Sequence, residues 1–351
     1  MTTETTFHNR RAVQLENAFV RVTILREGGH IAEIADKATG TNPLWVPPWP
    51  SIEPTSYKDE MSEYGRDAES RLLASIMGHN LCLDLFGPPS SEEAAAGLTV
   101  HGEVNIVPYK IVAGENDLTA SCTVPLSQLA FERHLSLSGR KVLIAETVHN
   151  LSALDRPIGW TQHVTFGPPF LKPSSTQFRV PATKSRDFEY PTDFDWPCLP
   201  KPDGSRRDMQ EFNLPEGSGG YTAHLLNPQD EQAWFFAFSP ETRAVIGYVW
   251  KREDYPWIGI WEENRGRTHP PWNARAVTRG MEFGVSPFPE TRRAMIKRNT
   301  LFDTPCYRWL PAKGSLKANY YAAIGTASAI PENLEGFENV IGTSASEKNP
   351  Y

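Results

Sequence analysis

Leu129-Ala-Phe-Glu-Arg-His-Leu-Ser-Leu137, followed by Ser138-Gly-Arg140 and then Lys141-Val-Leu-Ile-Ala-Glu-Thr-Val-His149, decides the fold class. In the first run Leu129, Phe131, Leu135 and Leu137 occupy alternate positions and share one face of an extended chain, with Arg133 among them. Glu132, His134 and Ser136 take the other face. A period of two is the signature of a half-buried strand. Val142, Ile144 and Val148 alternate in the same way after the short Gly-containing turn, so the stretch reads as an antiparallel hairpin. Outward from it, strand-like runs recur at 19–25, 30–35, 118–124, 221–226, 233–238, 244–250, 257–261 and 317–325.

Helical signals are few. Ser90-Ser-Glu-Glu-Ala-Ala-Ala-Gly97 has a cap, early acidic residues and a glycine stop, and 291–301 reads as a second short helix. Segments 46–70 and 171–218 are rich in Pro, Asp, Ser and Lys and read as long loops, the kind that form rims or lids. The tail after Ile330 is polar and is expected on the surface. Neither an internal repeat nor a linker composition is present, so the expectation is one all-β domain over 1–351, a large antiparallel sandwich with few short helices.

Composition narrows the function. The chain has 351 residues with 30 Pro and 25 Gly, enough turn formers for many short strands. Its 17 Phe, 11 Tyr and 10 Trp suit a protein that stacks rings on sugar C–H faces, although aromatic residues are as often core. A net charge of −7 offers nothing to a phosphate backbone, so no nucleic-acid partner is expected. Cys82, Cys122, Cys198 and Cys306 form no C-x-x-C pair, which removes a zinc knuckle and a redox motif from consideration. The first ten residues lack a signal-peptide core, and no apolar run approaches the roughly 20 residues that span a bilayer. The expectation is a soluble cytoplasmic protein with reduced thiols and no membrane partner. Without a secretory signal, the Asn150-Leu-Ser sequon carries no meaning.

No nucleophile elbow, P-loop or H-E-x-x-H is present, and Gly217-Ser-Gly-Gly220 lacks the strand–turn–helix setting of a dinucleotide site. His101-Gly-Glu103 has the spacing of part of a barrel metal site, but Thr99 stands where a second histidine would be needed. Three of the nine histidines stand out by context: His79 in Gly78-His-Asn80, His101 in Val100-His-Gly-Glu103, and His163 within the partly apolar run 159–167. A buried imidazole needs a partner, and for each one alone a satisfied core histidine is the ordinary reading. Glu282, in Arg279-Gly-Met-Glu-Phe-Gly-Val285, reads as a carboxylate on an inner strand. Such a group is paired to an arginine or put to chemical use.

The order of these pieces resembles one family. Leu15-Glu-Asn-Ala-Phe-Val-Arg-Val22, Glu27-Gly-Gly-His-Ile-Ala-Glu-Ile34 and Lys37-Ala-Thr-Gly-Thr-Asn-Pro-Leu-Trp45 are similar to the opening of galactose mutarotase-like proteins, the aldose 1-epimerase superfamily. Ile76-Met-Gly-His-Asn-Leu-Cys-Leu-Asp-Leu-Phe-Gly-Pro-Pro89 and Val100-His-Gly-Glu103 resemble its Gly-rich segment and His-Gly element. Segments 146–163, 258–261 and 280–282 resemble the strands that carry its second histidine, a tryptophan and a basic glutamate. The resemblance covers roughly residues 15–325, and it is the order of the motifs, rather than any single one, that makes it.

The resemblance implies a β-supersandwich with a sugar cleft and anomer interconversion without a cofactor or a metal. In it Glu282 would be the base, His163 the acid, and His101 a partner near the ring oxygen that could share the proton. Trp261 and Phe166 would be stacking walls. Relatives tend to have an arginine in the Gly-rich segment, where Ile76-Met77 stand here. His79 is then the replacement donor, Arg71 the guanidinium just upstream, and a neutral sugar rather than a sugar phosphate the expected ligand. Arg133, Arg156 and Arg265 are the other arginines that could reach a phosphate. Two alternatives stay open: a sugar-binding or regulatory protein without turnover, and a lyase or glycosidase on a related sandwich. A glycosidase would need a second carboxylate, for which Glu262, Glu263 and Glu103 are the candidates; Glu262 is also the alternative base.

Overall fold

The computed structural model describes residues 1–342. Two large antiparallel sheets, of 12 and 8 strands, dominate it. The hairpin that opened the sequence reading forms as Leu129–Ser138 and Lys141–Asn150, in the middle of the smaller sheet. Leu129, Phe131, Leu135, Val142, Ile144 and Val148 all bury toward the larger sheet. Arg133 buries with them and faces Glu146 directly across the pair. The alternation thus foretold the inward arginine, and cross-strand pairing supplies its counter-charge.

The centre of the larger sheet runs in the order His79–Asp84, Arg156–Phe166, Val277–Gly284, Trp257–Asn264 and Ser218–Leu226. One face packs on the smaller sheet through Leu81, Leu83, Val164, Phe166, Ile258, Ile260, Met281 and Phe283. Burial on both sides explains why these strands read as nearly continuous apolar runs. The opposite face carries two satellite clusters built from loops and short helices. A cavity lined by His101, His163 and Glu282 opens on that face.

Both expected helices form. Ser91–Ala95 starts at a complete capping box between Ser90 and Glu93, and Arg292–Arg298 starts at Thr291. Segment 171–218 departs from the loop expectation, since it carries five short strands, Gln177–Arg179, Ala182–Asp187, Asp193–Asp195, Cys198–Pro200 and Arg206–Asp208. Strands this short leave no periodic signal in a polar sequence. Residues 343–351 of the polar tail lie outside the described residues; before them, Leu334–Val340 is a helix on the outer face of the smaller sheet that seats Phe337 against Phe236 and covers apolar surface there. Among the described residues, no helix is long and apolar enough to cross a membrane.

Candidate active site

Alternation along three neighbouring strands builds the floor of the cleft. His163 lies directly opposite Asn80 on one side and Glu282 on the other, so their side chains share one face of the sheet. His163 Nε2 stands 2.9 Å from Glu282 Oε1. Among the described residues no donor is aligned on that oxygen for a proper hydrogen bond. The other ring nitrogen, Nδ1, is 3.0 Å from the Thr165 hydroxyl, which fixes the ring plane. Gly280 leaves room for the carboxylate, because a Cβ there would come within 2.6 Å of Glu282 Oε1.

His101 arrives from a turn. Its φ is 67° and that of Gly102 is 82°, two consecutive left-handed residues. At Gly102 a Cβ would lie 2.2 Å from the Leu83 carbonyl oxygen, so only glycine lets this turn press against the sheet. The His101 ring then sits 5.1 Å from the His163 ring. A non-glycine residue held in this conformation is costly, and such positions cluster at functional sites. His101 Nδ1 donates to the Phe86 carbonyl at 2.5 Å, which leaves Nε2 with its lone pair as an acceptor. Burial, aided by His163, pushes the imidazole pKa down to about 3, so His101 is neutral at pH 7.

The three residues line one cavity of about 270 Å³ together with Trp261. Trp261 packs 5.8 Å from His163. Sequence reasoning missed four further lining residues: Glu69, Tyr221, Arg267 and Trp272. The Arg267 guanidinium lies 4.6 Å over the Trp272 ring and pairs with Glu69 at 3.5 Å and Glu263 at 3.6 Å. Burial is the largest influence on the Glu69 carboxyl and raises its pKa against the pull of Arg267. Glu69 and Arg267 come from irregular segments without periodicity; only the clustering of Arg, His and Trp in 267–272 could have flagged them.

Four expected contacts lie elsewhere. His79, Phe166 and Glu262 each fall one position out of phase and point to the sheet interior. His79 bonds Gln162 Oε1 at 3.0 Å and the Tyr248 hydroxyl at 3.3 Å, and burial with Arg133 nearby holds its pKa well below the usual histidine range. Phe166 packs on Phe170, Phe178 and Phe235. Glu262 is paired to Arg207 at 2.6 Å and Arg279 at 3.6 Å. Arg71 is on the short helix Ser70–Leu73 but does not line the cleft. It stands two positions from both Glu69 and Leu73, which do, and residues two apart on a helix face opposite ways.

The remaining candidates are engaged as well. Glu103 accepts the Ser127 and Leu126 backbone N–H groups at 2.6 and 3.3 Å, and Glu263 accepts that of Arg267 at 3.0 Å. Arg133 is buried against Glu146, while Arg156 and Arg265 pair with Asp84 and Glu216.

No family model and no curated protein matches the sequence. Solved structures do match. A Klebsiella pneumoniae protein named as a candidate aldose 1-epimerase superimposes with a TM-score of 0.68 at 12% identity, over 97% of this chain and 85% of that one. A galactose mutarotase-like protein from Clostridium acetobutylicum gives 0.64 at 14% identity, over 93% and 99%. A galactose mutarotase related enzyme from Lactobacillus acidophilus gives 0.58 at 12% identity, over 90% and 97%. The chain has the galactose mutarotase-like β-sandwich fold.

Proposed function

We propose that the chain is an aldose 1-epimerase-like isomerase acting on a sugar in the Glu282–His163 cleft. One observation carries the reading: a carboxylate and an imidazole 2.9 Å apart on the cleft floor. The anomeric hydroxyl and the ring oxygen of an aldose are bonded to the same carbon. A base for the first and an acid for the second must therefore stand side by side. Glu282 takes the hydroxyl proton while His163 gives a proton to the ring oxygen. The C1–O5 bond breaks, the open aldehyde turns about C1–C2, and closure on the other face returns both protons.

With its Nδ1 proton committed to the Phe86 carbonyl, His101 offers Nε2 to the cleft, which suits accepting a hydrogen bond from a sugar hydroxyl beside the ring oxygen. A glycosidase would want two carboxylates flanking one bond with ~5–9.5 Å between them. Of the three glutamates named for that part, Glu262 and Glu103 are engaged away from the cleft and Glu263 holds the Arg267 loop; the carboxylates that line the cavity are Glu282 and Glu69, and Glu69 is paired to Arg267.

The test is polarimetry or NMR exchange on freshly dissolved α-anomers, measured against buffer because mutarotation is spontaneous. Glu282→Gln keeps the shape but removes the base, so anomer exchange should drop by about 100- to 10,000-fold while sugar affinity changes little. A wild type that binds a sugar and never exceeds buffer would make this a binding protein. An equally fast variant would make Glu282 structural.

A further inference from the structure

We infer that Glu69, Arg267 and Trp272 form a specificity subsite that reads the distal hydroxyls of an uncharged aldose and turns away sugars carrying a phosphate. The inference rests on the proposed cleft but on different residues from those assigned to the chemistry.

Arg267 is a pre-organised group, unlike a free surface arginine. Its guanidinium lies 4.6 Å over Trp272 and 5.5 Å over Trp261. The loop that carries it is fastened by Glu263, which accepts the backbone N–H groups of Gly266 and Arg267. Glu263 is almost wholly buried, whereas 27% of the Glu69 side chain and 34% of the Arg267 side chain remain exposed. Arg267 is the one side-chain partner of the Glu69 carboxylate among the described residues, and that contact is long at 3.5 Å. The pair therefore has acceptor and donor capacity left for a ligand. Trp272 adds a second, independent sign: it is 2% exposed, it lines the cleft, and its indole N–H has no partner among the described residues. A buried unpaired donor of this kind is costly unless something accepts its hydrogen bond.

The charge count decides which ligand fits. One guanidinium stands between two carboxylates, so the trio is net negative when all three are ionised. A hydroxyl both donates and accepts, and can lie between Glu69 and Arg267 with every group satisfied. A phosphate only accepts at neutral pH and carries about −1.5 to −2 charges. To reach Arg267 it must lie against Glu69 as well, and like charges brought together discriminate strongly between ligands. Arginine alone would favour phosphate through a bidentate contact, so Glu69 is the residue that reverses the preference.

Calorimetric titration at pH 8 tests this, with glucose, galactose and mannose and their 6-phosphates as probes. The wild type should bind at least one free aldose about tenfold or more tighter than its 6-phosphate, the scale of one charged hydrogen bond. Glu69→Gln should erase or invert that ratio by strengthening phosphate binding, and Arg267→Met should weaken the free sugar and gain no phosphate affinity. A thermal melt on each variant checks folding. Equal or tighter binding of the phosphates by the wild type overturns the inference, as does an unchanged ratio in a folded Glu69→Gln, or no aldose binding at all. Because binding is read without turnover, a wild type that discriminates as expected yet never accelerates anomer exchange would end the epimerase reading and leave the subsite standing. Acceleration without discrimination would do the reverse.

Discussion

Residues 162 and 163 are neighbours in the chain and opposites in the structure. Gln162 points into the sandwich, where its amide meets His79, Tyr320, Tyr255 and Glu146 at 2.6 to 3.2 Å. Glu146 in turn holds Arg133 at 2.7 Å and Tyr320 at 2.8 Å. This network is buried and saturated. On the cleft side, His163 has Thr165 and Glu282 beside it, while both amide atoms of Asn80, the Thr161 hydroxyl and Glu282 Oε1 have no hydrogen-bond partner among the described residues. Both faces are polar at this level of the sheet, and only one is satisfied. A saturated buried network holds a fold together, whereas unspent capacity beside a cavity is ready for a ligand. Neither buried polarity nor an unpaired polar atom identifies a site by itself, since among the described residues His30 and Glu262 keep unpaired atoms away from the cleft; an unpaired atom on a residue that lines the cavity, as on Glu282, is the informative sign.

Three outcomes would break or sharpen this contrast. The largest is expected on the inner face. Glu146→Leu strips the buried Arg133 of its counter-charge and should cost about 3–5 kcal/mol in urea unfolding, the usual loss when half of a buried pair is removed. A loss under 1 kcal/mol would mean that the network is dispensable.

Acid comes next. His30, His101 and His224 are pushed down to about 3 by burial, and His79 is lowered as well. In the unfolded chain each titrates near ~6.5. Below that pH the unfolded chain takes up protons that the folded one refuses. The stabilisation from keeping these rings neutral is therefore fully present above pH ~6.5 and lost as pH falls toward 3, by up to about 1.4 kcal/mol per pH unit for each histidine. Urea midpoints that stay flat between pH 7 and 5 would contradict this.

The smallest effect belongs to the cleft face. Asn80→Val removes an unpaired amide from a strand position and should leave stability unchanged or raise it by about 1 kcal/mol. A loss above 2 kcal/mol would show that Asn80 has a structural partner after all.

The sequence made the fold legible wherever strands alternate. The 129–149 hairpin, the eight outlying runs and both capped helices were readable because a period of two and a capping box are local signals. His163, Glu282, His101 and Trp261 were located by the order of motifs. Phase is legible too: Leu81 and Leu83 mark the odd positions of their strand as inward, which puts His79 inside and Asn80 on the cleft side of the sheet. The same parity argument removes Phe166, in line with Val164, and Glu262, in line with Ile258 and Ile260. Glu69 and Arg267 were out of reach for another reason. They meet across 198 positions from two irregular segments, and no local pattern encodes that encounter.

The pairing of Arg156–Phe166 with Val277–Gly284 has a consequence for how such a protein can change over generations. His163 and Glu282 are set opposite each other by ladder register, so inserting or deleting one residue within either strand would carry its side chain to the other face of the sheet. Glu69 and Arg267 lie outside the strand ladder, so no such count fixes the segments that carry them. These two strands must keep their count. Laboratory libraries built on this scaffold should restrict the two strands to substitution.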